Sequence, residues 1–249
     1  TRACYRGSVA QSAVLAGMVM THRALGTWRD KVTRYIALNE FCRRKFVEGG
    51  LPAERVVVKP NFVDFAPPPA GARSGFLFVG RLSAGKGIRT LVDAASKVPE
   101  VPMVVAGSGP EAGLLAGATN IRGLGALPAA AVRERMVAAR ALVLPSIWYE
   151  NFPRTLVEAF GCGLPVIASR IGALAELIED GVTGFLFEPG DADDLARRLR
   201  WAHAHPSEMA RMGGAARAHY EAHFTADGNY RELMAIYSEA IAQAKGGMA

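Results

Sequence analysis

Phe76-Leu77-Phe78-Val79-Gly80-Arg81-Leu82-Ser83-Ala84-Gly85-Lys86-Gly87 runs directly into Ile88-Arg89-Thr90-Leu91-Val92-Asp93-Ala94-Ala95. The first four residues are wholly apolar and read as a strand buried on both faces. A glycine-punctuated turn follows. Ile88, Leu91, Val92 and Ala95 then recur at helical spacing. Strand, turn and helix in that order form the unit of an α/β sheet.

Downstream, the same alternation repeats. Val101 to Ala106 reads as a strand and closes in Gly107-Ser108-Gly109-Pro110. A helix is predicted over 111–117, a strand near 120–122 and a helix over 129–139. Ala141 to Leu144 is a strand ending in Pro145-Ser146. Pro153 to Phe160 is a short helix stopped by Cys162-Gly163. Strands at 165–168 and 184–187 alternate with helices at 173–179 and 191–203. Six short strands, each followed by a helical run, predict a parallel sheet covered on both faces. Such sheets take ligands at the carboxyl ends of their strands.

Upstream, Gly7 to Thr27 reads as a helix, 34–38 as a strand, 40–48 as a helix and 56–58 as a strand. Pro67-Pro68-Pro69 is a stiff, extended linker. A boundary is placed there. Residues 1–65 are too few for a complete α/β domain and read as the end of one. The chain opens on Thr1, in keeping with a start inside a larger protein. Residues 66–223 form the main domain, and 224–249 carry a long final helix.

Composition excludes several classes. Half of the 249 residues are hydrophobic, enough for a core and against disorder. No apolar run reaches the roughly 18 residues of a spanning helix. Cys4, Cys42 and Cys162 are too sparse for a disulfide framework and fit a reducing cytosol. No Cys-x2-Cys pair suggests zinc. Residues 1–59 carry eleven Lys/Arg against four Asp/Glu, a net charge of +7. The remainder carries 18 against 19. A basic segment of this kind attracts phosphate, nucleic acid or an anionic membrane, or is simply a solvated helix face. No aromatic-rich basic stretch suggests single-strand stacking, and nucleic acid is not expected as a partner.

Two motifs carry chemistry. In Gly80-Arg81-Leu82-x3-Lys86-Gly87, backbone amides at a strand-to-helix turn suit an anion. Arg81 and Lys86 add two cations, which suits a diphosphate; the alternative is a pair of solvated charges. The spacing matches neither a P-loop nor a dinucleotide fingerprint. In Glu150-Asn151-Phe152-Pro153-Arg154-Thr155-Leu156-Val157-Glu158, two carboxylates stand eight apart. Pro153 suits a first helical position, and the free amides of Arg154 and Thr155 face an anion. Glu158 suits a ribose diol, which a carboxylate binds with both oxygens. Its alternative is a pair with a basic neighbour.

These motifs occur in order with Val105-Ala106-Gly107-Ser108-Gly109-Pro110, Pro145-Ser146 and Gly163-Leu164-Pro165-Val166-Ile167-Ala168-Ser169. Over residues 34–245 the set resembles the C-terminal, donor-binding domain of retaining family 4 glycosyltransferases of the GT-B fold. The resemblance implies two Rossmann-like domains. Residues 1–65 would end the acceptor-side domain, 66–223 would bind a nucleotide-sugar, and 224–249 would return to the first domain. It implies hexose transfer from a UDP- or GDP-sugar to a saccharide or lipid-linked hydroxyl acceptor, with retention, in polysaccharide or glycolipid assembly.

The same resemblance assigns roles. Arg81, Lys86 and Glu150 would form the catalytic group. The two cations would hold and stabilise the departing diphosphate, and Glu150 would face the donor hexose. Gly80, Asn151, Phe152, Pro153, Arg154 and Thr155 would contact sugar and phosphate. Glu158 would hold the ribose, and Ser146 and 125–127 would border the base. The resemblance implies no metal and no cofactor. A cytoplasmic location follows, with peripheral contact to an anionic inner leaflet. Arg6, Gly7 and Ser8 are placed near the cleft by polarity alone. Two positions depart from the family pattern, Gly123 and the Asn151-Phe152-Pro153 triplet. A nucleotide-sugar-binding module without turnover and a sugar-nucleotide epimerase of the same fold use similar residues. The ordered Arg/Lys and Glu-x7-Glu set favours a transferase over the epimerase.

Overall fold

The computed structural model describes residues 5, 7–68 and 71–246. Cys4, Arg6 and Pro69, each singled out above, lie outside the described residues.

Among the described residues, eight strands and ten α-helices follow one another along the chain. The order opens with α1 (Val9–Ala24), α2 (Thr27–Asp30), β1 (Tyr35–Ala37), α3 (Glu40–Glu48) and β2 (Val56–Val58). It continues with β3 (Phe76–Val79), α4 (Ile88–Ser96), β4 (Met103–Ala106), β5 (Ile121–Gly125), α5 (Ala129–Ala138) and β6 (Ala141–Leu144). It closes with α6 (Arg154–Gly161), β7 (Val166–Ser169), α7 (Gly172–Leu177), β8 (Gly184–Phe187), α8 (Ala192–Ala204), α9 (Pro206–His223) and α10 (Ala226–Gly246).

Six strands make one parallel sheet in the order β5-β4-β3-β6-β7-β8. The order reverses beside β3, the arrangement of a doubly wound α/β fold. Alternation along each strand sorts the core into two layers. Phe76 and Phe78 of β3, with Val143 of β6 and Phe187 of β8, face one layer with Leu91 of α4 and Leu199 of α8. Leu77, Leu142, Leu144 and Val166 face the other, where Leu156 and Phe160 of α6 and Tyr220 of α9 cover them. β6, β7 and β8 are buried throughout and lack a polar face, whereas the edge strand β5 carries the exposed Arg122.

β1 and β2 form a separate two-stranded parallel sheet, Tyr35 opposite Val56 and Ala37 opposite Val58. Its small core joins Ala37, Cys42 and Val56. α3 leans on this sheet, and Asn39 caps it by accepting the Cys42 amide at 2.8 Å.

Three expectations differ from the structure. The helix predicted over 111–117 is a 3-10 turn at Ala112–Gly117. Gly113 and Gly117 deny so short a segment the propensity to nucleate an α-helix. The helix predicted over 7–27 breaks at Leu25-Gly26, so α2 is separate from α1. α9 fills a stretch to which the alternation assigns no element. Its Gly213-Gly214 pair weakens the helical signal, and packing against α6 and β8 supplies the stability instead.

Candidate functional site

All six strands of the large sheet end at one rim. There the connections 80–87, 107–110 and 145–153 meet and are laced by main-chain bonds. Gly80 N donates to Ala106 O at 3.0 Å, Leu82 N to Ser108 O at 2.9 Å and Ile147 N to Gly85 O at 3.0 Å. Gly107 allows this closeness, because a Cβ there would stand 1.8 Å from Gly80 O. That contact is a sufficient role for the glycine in Gly107-Ser108-Gly109.

A cavity of about 210 Å³ opens at this rim. Gly80, Arg81, Lys86, Ser146, Glu150, Phe152, Pro153, Arg154 and Thr155 all line it. A second groove of about 540 Å³ shares Gly80 and Arg81 and continues past Gly107 and Ser108 to Ala126 and Leu127. Arg81 therefore stands where the two spaces join. Its side chain is exposed, with no ion-pair partner among the described residues. A free guanidinium at such a junction suits a diphosphate, which it can grip with two parallel N–H groups.

Lys86 is placed differently. Its Nζ lies 2.6 Å from Glu150 Oε1, and the Ser146 hydroxyl donates to that same oxygen at 2.6 Å. Lys86 comes from the turn before α4, and Glu150 and Ser146 from the loop after β6. The ion pair thus spans two of the three connections. It leaves Glu150 Oε2 and the remaining Lys86 protons for a ligand.

α6 begins at Arg154, with Pro153 as the capping residue, one position later than the spacing predicts. No side chain caps this end. Arg154 and Thr155, the first two residues of this uncapped end, line the cavity, an arrangement that favours an anion. Glu158, one turn further on, does not line the cavity. It pairs with Arg154 at 3.1 Å, the alternative that the sequence leaves open. Burial pushes the Glu158 carboxyl above its ordinary value, and Arg154 opposes that shift.

Asn151 turns away from the cavity. Its main-chain oxygen accepts from Asn39 Nδ2 at 2.7 Å, and its side-chain oxygen accepts the Cys42 thiol at 2.8 Å. Asn39 and Cys42 escape the sequence reading. The capping role of Asn39 is visible before α3, but a partner 112 residues away is not. Among the described residues, no cluster of three or more His, Cys, Asp or Glu side chains is arranged for a metal. No described helix is long and apolar enough to cross a membrane.

Comparison with known proteins gives the family and the fold. The family model described as glycosyl transferases group 1 matches residues 64–219. The phosphatidylinositol N-acetylglucosaminyltransferase gpi3 subunit of Schizosaccharomyces pombe is 32% identical over 202 residues, 74% of this chain and 44% of that protein. The phosphatidyl-myo-inositol mannosyltransferase of Mycobacterium leprae is 34% identical over 192 residues, 70% of this chain and 51% of that protein. The chain spans about half the length of the curated relatives it matches. Among solved structures, Anabaena Alr3699/HepE in complex with UDP superposes with a TM-score of 0.76 at 24% identity, over 83% of this chain and 64% of that one. From fold, rim geometry and these matches together, the chain belongs to the group 1 glycosyl transferases and has the GT-B type of α/β fold.

Proposed function

We propose that the chain carries the donor half of a hexosyltransferase. It would take a hexose from a UDP- or GDP-sugar and transfer it to a hydroxyl acceptor with retention of configuration. The observation that carries this reading is the cavity where Arg81, the Lys86–Glu150 pair and the open end of α6 converge. Arg81, Lys86 and the α6 amides supply positive potential from three directions. A diphosphate leaving group gathers charge as the sugar departs, and such preorganised donors stabilise it. Glu150 stands beside them to receive hexose hydroxyls. Glu158 takes the ribose diol once Arg154 swings aside; Arg154 is exposed enough to do so.

In the same reading, residues 1–65 close the acceptor-side domain, 66–223 form the donor domain and 224–249 return to the first. The relatives named for transfer to phosphatidylinositol or inositol phosphate support a hydroxyl acceptor. The basic segment 1–59, at net +7, would favour peripheral contact with an anionic cytoplasmic leaflet. Sedimentation with liposomes should then rise with the fraction of anionic lipid. Lipid-independent sedimentation would remove the membrane contact.

Calorimetric titration with UDP, GDP and ADP tests the donor site. One nucleoside diphosphate should bind the wild type. Arg81→Ala with Lys86→Ala should weaken it by about a hundredfold, the loss of two charge-assisted contacts. Equal affinity in the double variant would refute the diphosphate role.

A further inference from the structure

The loop that presents Glu150 has no secondary structure between β6 and α6. Much of it is exposed, including Trp148 and Tyr149. Besides the contacts of Glu150 with Lys86 and Ser146, two anchors flank that residue. The first lies within the large domain, where Ile147 N donates to Gly85 O at 3.0 Å. The second comes from α3, outside that domain. Asn39 Nδ2 donates to Asn151 O at 2.7 Å, and the Cys42 thiol donates to Asn151 Oδ1 at 2.8 Å. Glu150 stands between the two anchors, one residue from the second.

Asn39 is suited to this double duty. Its oxygen is spent on the Cys42 amide as the helix cap, which leaves its NH2 group for Asn151. Asn39 and Cys42 are both buried, at 5% exposure each. Burial pushes the Cys42 thiol above its ordinary value and keeps it a donor. The contact continues outward. Phe41 packs on Tyr149 with ring centroids 4.8 Å apart, and Phe41 N donates to Glu176 of α7 at 2.6 Å.

We infer that Asn39 and Cys42 are positioning residues: they clasp Asn151, hold the Glu150 loop in its ligand-ready shape, and so make the β1–α3–β2 unit a determinant of nucleotide affinity. The inference deepens the donor-site reading, and its consequence for nucleotide binding rests on that reading. A loop that loses its second anchor samples more conformations, and binding must then offset the ordering.

Hydrogen exchange on the full 249-residue chain separates the clasp from the ligand. Asn39→Ser keeps a hydroxyl for the helix cap but is too short to reach Asn151 O. In Asn39→Ser with Cys42→Ala, amides of 147–152 should exchange about ten-fold faster, the loss of two neutral bonds. Amides of β3 and β6 should not change. Unaltered exchange in the loop overturns the clasp. Cys42→Ser retains a donor and should match the wild type; exchange as fast as in Cys42→Ala overturns the thiol's role. Calorimetry with UDP and GDP on the same variants should show about ten-fold weaker binding. Faster exchange with unchanged affinity overturns the positioning role. If the wild type binds neither nucleotide, the donor-site reading and with it the effect on affinity fall, while the exchange result still decides the clasp.

Discussion

Glu158 shows how one side chain sets a pH dependence. Its carboxyl is pushed above its ordinary 4.5 by burial in α6, against the pull of Arg154. In the folded state it therefore holds a proton more tightly than in the unfolded chain. Folding stability falls as pH rises from the unfolded value through the raised folded one. The proposed ribose contact would need the opposite form, because only the carboxylate accepts two hydroxyls. Nucleotide affinity should thus weaken on acidification at a pH above that of an ordinary glutamate. Glu158→Gln should lose both the slope in stability and the acid-dependent part of the affinity. Titrating nucleotide across pH 4.5 to 7 measures this, and identical profiles in both proteins would remove Glu158 from the ribose site.

The β3–turn–α4 element is the piece on which the rim depends. Gly87 sits at φ +71°, and a Cβ there would stand 1.8 Å from Pro145 O. An alanine would have to adopt a left-handed backbone and push the Pro145 loop aside at once. Gly87→Ala should cost about 2–4 kcal/mol. It should also separate Lys86 from Glu150, because those two residues flank the displaced contact. Chemical denaturation reads the first effect and nucleotide titration the second. A stable variant with normal affinity would show that the turn has room that this packing denies. Strand–turn–helix is plain in the sequence from Phe76 to Ala95. The demand of Pro145 on Gly87 is not, since it joins residues 58 apart in the chain.

At the scale of the molecule, α10 is tied to the β1–β2 segment. Asn229 accepts from Lys59 Nζ at 2.8 Å and donates to Pro60 O at 2.6 Å, so it grips the exit of β2. Lys59 is buried, and burial lowers its ammonium below the ordinary value. Removing one partner of a buried charge leaves a desolvation cost behind. Asn229→Ala should therefore destabilise by about 1.5–3 kcal/mol. Arg34 Nη1 also donates to Gln243 at 2.6 Å further along α10. Differential scanning calorimetry would show whether losing Asn229 lowers one transition or splits it in two. An unchanged thermogram would mean that the remaining contacts hold α10 alone.

Local pattern sufficed for much of this protein. Five apolar runs separated by helical runs specify a parallel sheet, because a strand buried on both faces tolerates no polar alternation; the sixth strand, β5, is an exposed edge strand with Arg122. Short-range chemistry also placed the loop cations and carboxylates at strand ends, where the sheet presents Arg81, Lys86 and Glu150 around one cavity. Tertiary structure alone decided the partners. Lys86 meets Glu150 across 64 residues, Asn39 meets Asn151 across 112, and Lys59 meets Asn229 across 170. Propensity and periodicity act over a few neighbouring residues. A hydrogen bond between distant side chains depends on how the sheet stacks, its strand order and the tilt of its helices, and none of these is encoded in any one window of the chain.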